Sequence, residues 1–136
     1  MIYGFTGSRE GLNSNQKNKI KKLLSKALAT YKTIEVHHGD CVGSDEDFHK
    51  LCVKLSSNIN IFIHPPACDK LRAYCKSDNV LTEKDFLTRN KDIVNSCDIL
   101  IACPLSSEEI LRSGTWATIR HAEKLGKKIK MYPKNE

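Results

Sequence analysis

The sequence predicts an α/β protein built on a mostly parallel five-stranded sheet, and three observations lead there. Apolar runs of strand length alternate with segments whose apolar residues recur at 3.6-residue spacing, the pattern of β-α-β units. The run Asp98-Ile99-Leu100-Ile101-Ala102-Cys103 is so apolar that it requires cover on both faces, as parallel strands do. Nearly every strand-like run ends in glycine, proline or hydroxyl residues before the next helical segment. Right-handed crossovers then give the strand order 3-2-1-4-5 with helices on both faces.

The first strand, Ile2 to about Phe5, runs into Thr6-Gly7-Ser8-Arg9. Gly7 lacks a Cβ and can take a positive φ that exposes its N–H, Thr6 and Ser8 add hydroxyls, and Arg9 adds a fork of donors suited to phosphate or carboxylate. Asn13 or Ser14 caps a helix over 15–30, with Ile20, Leu23, Leu24, Ala27, Leu28 and Tyr31 on one face. Thr33–His37 is a second strand. Its turn, His38-Gly39-Asp40-Cys41-Val42-Gly43-Ser44-Asp45, leads to a helix ending near Ser56 with Phe48, Leu51, Cys52 and Leu55 inward. Ile59–Ile63 is a third strand stopped by His64-Pro65-Pro66, because proline cannot continue a buried ladder. Residues 66–81 are irregular, with a short helical turn near 69–75. Thr82 is expected to cap a helix reaching Ser96, with Glu83 and Asp85 in its first turn. After the fourth strand, the polar loop 104–113 leads to a helix over 115–125 closed by Gly126, and Lys128–Tyr132 is the fifth strand.

A chain of 136 residues fits a single domain spanning 1–136. No apolar run approaches the roughly 20 residues of a membrane span, and a strand starting at residue 2 leaves no room for a leader. A cytoplasmic location is therefore expected, with Cys41, Cys52, Cys68, Cys75, Cys97 and Cys103 as reduced thiols outside any C-x-x-C spacing. The net charge of +6 favours anionic partners. Much of that excess sits on one solvated helix face, Lys17, Lys19, Lys21, Lys22 and Lys26.

Strand order locates the ligand site. Ligands of open α/β sheets bind at the carboxyl ends of strands beside the point where strand order reverses, here between the first and fourth strands. The two loops there, Thr6–Arg9 and Pro104–Thr115, each lead into a helix N-terminus, so two helix ends are expected to converge on one anion site. Ser113, Gly114 and Thr115 open the last helix with accessible N–H groups. Trp116 can stack on a base or pack in the core. Gly39, Gly43, Ser44 and Asp45 form the neighbouring turn; Ser44 and Asp45 either cap the next helix or face the ligand, Asp45 through a ribose hydroxyl. Arg89 is an ordinary surface arginine by composition. If its helix starts beneath the crevice it can reach a phosphate, with Asn90 bonding a loop backbone, an expectation that rests mainly on a family resemblance. The histidines show no i,i+4 pair with a carboxylate, and there is no Gly-x-Ser-x-Gly elbow, so neither a metal, another cofactor nor a nucleophilic triad is expected.

In order along the chain stand Thr6-Gly7-Ser8-Arg9, His38-Gly39 with Gly43-Ser44-Asp45, Pro65-Pro66-Ala67, Arg89-Asn90 with Cys97–Ala102, and Ser113-Gly114-Thr115 with Ala122, Gly126 and Lys127. This ordered set resembles the SLOG superfamily, most closely its small YspA-like branch of bacteria and phages. The resemblance implies a Rossmann-like fold and a nucleotide or nucleotide-derivative ligand, such as ADP-ribose or another NAD-derived molecule. Related folds often complete such a site across a dimer, which leaves a homo-oligomer open. The lonely-guy phosphoribohydrolases of the superfamily carry Pro-Gly-Gly-x-Gly-Thr-x-Glu-Glu at the last helix. Here Gly114-Thr115 match, but Ala117 and Thr118 stand where the glutamates would be. Glycoside cleavage needs a carboxylate at the developing oxocarbenium carbon. Glu10, Asp45, Glu108 and Glu109 are the carboxylates considered as substitutes. The leading expectation is thus a binding module acting as sensor or sequestering protein. An N-glycosidic hydrolase comes second and DprA-like binding of single-stranded DNA third, since aromatics for base stacking are sparse.

Overall fold

A computed structural model describes residues 1–135. The elements are β1 (Ile2–Gly7), α1 (Ser14–Tyr31), β2 (Ile34–His38), α2 (Ser44–Leu55), β3 (Ile59–Ile63), β4 (Asn79–Val80), α3 (Phe86–Ser96), β5 (Ile99–Cys103), α4 (Gly114–Lys124) and β6 (Lys128–Met131). All strand pairs are parallel, in the order β4-β3-β2-β1-β5-β6. The sheet therefore has six strands, not five. The addition is β4, whose two residues pair with Phe62 and Ile63; a pair of residues is too short to show periodicity.

Two helices cover each face. On one side α1 and α2 bury Ile20, Leu24, Phe48 and Cys52 against Phe5, Val36 and Ile63, with the rings of Phe5 and Phe48 stacked at 4.2 Å. On the other side Val94 of α3 and Trp116, Ile119 and Ala122 of α4 pack on Leu100 and Ala102. Trp116 is 8% exposed and belongs to this core. β5 is buried from Leu100 to Cys103, as its uninterrupted apolar sequence requires. No helix of the described residues is long and apolar enough to cross a membrane.

Helix ends follow local chemistry with two corrections. Asn13 caps α1 in a reciprocal box, its side chain accepting from Gln16 N–H while Gln16 Oε1 accepts from Asn13 N–H. Gln16 is buried and also donates to the Tyr132 carbonyl, whereas Tyr31, at the end of the expected apolar face, is 47% exposed. α3 starts at Phe86 with Asp85 as its cap, not at Thr82. Lys84 is held extended alongside the third loop, since Ala67 N–H donates to its carbonyl and its N–H donates to Pro65. A helix cannot begin until those bonds are left behind. α4 ends as expected, with Gly126 at φ 70° just beyond it.

The irregular segment after β3 is anchored by one buried residue. Asp40, fully buried and in the left-handed region at φ 53°, accepts from Cys75 N–H and from Arg72 Nε, while its carbonyl accepts from Ala73 N–H. This lays residues 69–75, which include one 3-10 turn over Asp69–Leu71, against the loop after β2.

Candidate functional site

The carboxyl ends of β1, β2 and β5 open onto one cavity of about 540 Å³ at the reversal of strand order. This volume falls in the range of small-molecule sites. Every ligand-binding residue expected from the sequence lines it except Gly43, whereas Glu108 and Glu109, considered as catalytic carboxylates, do not. The sequence reading missed Arg112, Ile110 and Phe86, which complete the walls. Arg112, next to the Ser113 cap, was the one with a local signal, being a cation at a helix N-terminus.

The loop after β1 is not the open cradle expected. Gly7 ends the strand opposite Cys103 and is not among the glycines with positive φ, and Ser8 N–H is engaged by the Cys103 carbonyl. Gly7 is required for a different reason: a Cβ there would stand 2.6 Å from Ser44 Cβ. The loop is pressed onto the start of α2, where the Ser8 carbonyl accepts from both Ser44 N–H and Ser44 Oγ. Ser44 thus does not cap its own helix. Gly43 takes that position at φ 97°, with no side-chain cap, and a Cβ on it would overlap the Arg9 backbone. Gly43 serves loop packing, which explains its absence from the cavity wall. Ser8 Oγ is buried without a hydrogen-bond partner among the described residues.

Only one of the two helix N-termini expected at the site is there. That of α1 is closed by its capping box and the Lys134 carbonyl, which accepts from Asn13 Nδ2, and it does not line the cavity. That of α4 is open. Ser113 Oγ accepts from Trp116 N–H at 3.3 Å, while the N–H groups of Gly114 and Thr115 have no partner among the described residues. Both residues line the cavity, and nothing lies within 4 Å of the position a Gly114 Cβ would take. Free N–H groups at the positive end of a helix dipole are a ready anion acceptor.

Arg89 has another role than the one read from the sequence. It is 6% exposed. Nη1 donates to the Gly39 and His64 carbonyls, and Nε donates to Asn90 Oδ1, so Asn90 orients Arg89 and not a loop backbone. The guanidinium ties the loops after β2 and β3 to α3, and each such charge-assisted bond contributes about 1.5–3 kcal/mol. Cys41 Sγ lies 3.7 Å from both Nη atoms.

Across Gly39 from this guanidinium stands Asp45, 9% exposed, with Oδ2 accepting from Cys41 N–H at 3.1 Å. Burial raises its pKa to about 6, and the positive charge of Arg89 limits the rise. Asp45 and Glu10 are the carboxylates of the cavity wall; Glu109 is drawn away to Arg120 at 2.7 Å.

Four histidines pair beside the site. Glu35 Oε2 meets His37 Nε2 at 2.6 Å and His37 Nδ1 meets His64 Nε2 at 2.7 Å; His38 Nε2 meets His49 Nδ1 at 2.9 Å. With Cys75, His38 and His49 bring three metal-ligand atoms within 4.8 Å of one another, a grouping the sequence spacing did not reveal. Asp40 N–H donates to His38 Nδ1 at 3.0 Å, which places the proton of the neutral ring on Nε2, the atom a cation would need. The cluster fits a hydrogen-bond chain better than a metal. Burial holds His38 well below the usual histidine range.

No described family and no curated protein sequence matches the chain. Among solved structures it is similar to the structural-genomics target TM1055, with a TM-score of 0.61 at 20% identity over 94% of this chain and 70% of that one. At that identity the likeness shows a shared Rossmann-like α/β fold.

Proposed function

We propose that this chain is a nucleotide-binding module whose crevice takes a nucleotide or nucleotide derivative, as a sensor or sequestering protein of the SLOG type. The observation that supports it most is the open first turn of α4, with two free N–H groups facing a cavity at the reversal of strand order. Arg9 and Arg112 add positive charge at the same wall, and Ser8 Oγ is a donor still lacking an acceptor. The resemblance of the ordered loop motifs to SLOG proteins points to the same ligand class. The test is a thermal-shift screen against nucleoside mono- and diphosphates, ADP-ribose, cyclic ADP-ribose isomers and NAD. A ligand at about 100 times its Kd adds roughly 2.7 kcal/mol of stability. A shift from at least one of them is expected; no shift from any would overturn the reading.

A second reading, an N-glycosidic hydrolase of nucleotides or NAD derivatives, draws on Asp45 alone. A cavity carboxyl with a pKa of about 6 is suited to proton transfer near neutrality. Chromatography of each bound nucleotide separates the two: intact ligand supports the binding module, and released base supports the hydrolase.

A further inference from the structure

We propose that the crevice takes up a proton together with its anion, so that ligand occupancy and protonation of Asp45 are one coupled event. This rests on the nucleotide reading above and adds a control to the same site. The geometry carries it. Asp45 is more than nine-tenths buried in the cavity wall, and its carboxylate is met by backbone N–H groups, that of Cys41 at Oδ2 and that of Gly39, with no side-chain donor bonded to it among the described residues. No cation among the described residues is in ion-pair contact with it, because Arg89 is turned to the Gly39 and His64 carbonyls. The charged and titratable groups around it are Arg9 and Glu10 from the loop after β1, Asp40 and Cys41 from the loop after β2, Arg89 from α3, and Arg112 before α4. Asp40 is itself a carboxylate and is engaged by Arg72.

An anion entering this cavity meets the Asp45 carboxylate as a like charge. Protonation removes that repulsion and gives the cavity wall an O–H donor. Because burial already favours the protonated form, the proton is available close to neutral pH. Linkage is reciprocal: the factor by which the anion strengthens proton binding is the factor by which the proton strengthens anion binding. Acidification therefore tightens binding and alkaline conditions release the ligand.

The probe is ADP-ribose, whose pyrophosphate keeps a constant charge across the range used. Its Kd for the parent protein is expected to rise about fivefold or more between pH 6 and pH 8.5. Asp45→Asn should give a flat profile and bind at pH 8.5 about as tightly as the parent at pH 6. A flat parent profile overturns the proposal while leaving the nucleotide reading intact. So does an unchanged slope in Asp45→Asn, which would assign the linkage to the neighbouring histidines. Failure of ADP-ribose to bind at every pH, with no other nucleotide binding, overturns the nucleotide reading and this inference with it. Should Asp45→Asn not fold, the Asp45 carboxyl carbon can be followed by 13C NMR in the parent. Its titration midpoint should move to higher pH with ADP-ribose present, and an unmoved midpoint overturns the coupling.

Discussion

Gly43 and Gly114 lie at the starts of helices on opposite faces of the sheet and answer to different constraints. Gly43 is left-handed and against the Arg9 backbone, so Gly43→Ala should cost about 2–4 kcal/mol in urea denaturation through strain and overlap. Gly114 faces open space, and an acidic residue is welcome in a helix's first turn. Gly114→Asp should leave the urea midpoint nearly unchanged while abolishing the ligand-induced thermal shift. Asp45 makes a further prediction, about stability. Its folded pKa of about 6 lies above the ordinary aspartate value of 3.8, so the folded state holds this proton more tightly than the unfolded chain. The favourable contribution is present below about pH 4 and lost as pH rises through 6. Asp45→Asn should therefore be more stable than the parent at pH 8, by up to roughly 3 kcal/mol, with the gain vanishing by pH 4 in thermal melts.

Among the elements, α3 shows where sequence reasoning stops. Its apolar period was legible, because Ile93 and Val94 must face the sheet. Its start was not, because Thr82 and Asp85 are both good caps and the choice is made by Lys84 pairing with Pro65 and Ala67, far away in sequence. Asp85→Ala should lower the urea midpoint and Thr82→Ala should leave it nearly unchanged. Arg89 was read as an arginine free to reach a ligand for the same reason: nothing local says that two distant carbonyls await it. Arg89→Met should leave the Gly39 and His64 carbonyls without this donor and destabilise the fold by about 3 kcal/mol or more, measured by the same denaturation. Loss of ligand binding in that variant would reflect a displaced loop, since the guanidinium is already engaged.

For the molecule as a whole, the position of the crevice was legible because strand order alone fixes which loops meet there. The chemistry of each wall was less so. Which helix N-terminus stays open depends on whether a carbonyl such as that of Ser8 already covers it, and Asp40 reaches Arg72 across 32 residues from a backbone conformation unusual for aspartate. The buried histidines set the acid side of overall stability. His38 and His64 are held below the usual range chiefly by burial, His64 at about 4, so the unfolded chain binds more protons between about pH 4 and 6.5. Stability should fall on acidification through that window, opposite in sign to the Asp45 effect, and a thermal melt at pH 4.5 should lie below one at pH 7. A last consequence concerns growth of the sheet. β4 offers a newcomer a margin of only two residues, and β6 at the other margin carries Lys128 and Lys130 and is soon followed by Pro133, which has no N–H. Such margins resist strand-by-strand polymerisation, so copies of this chain that associate should meet through helices or loops and not by extending the sheet.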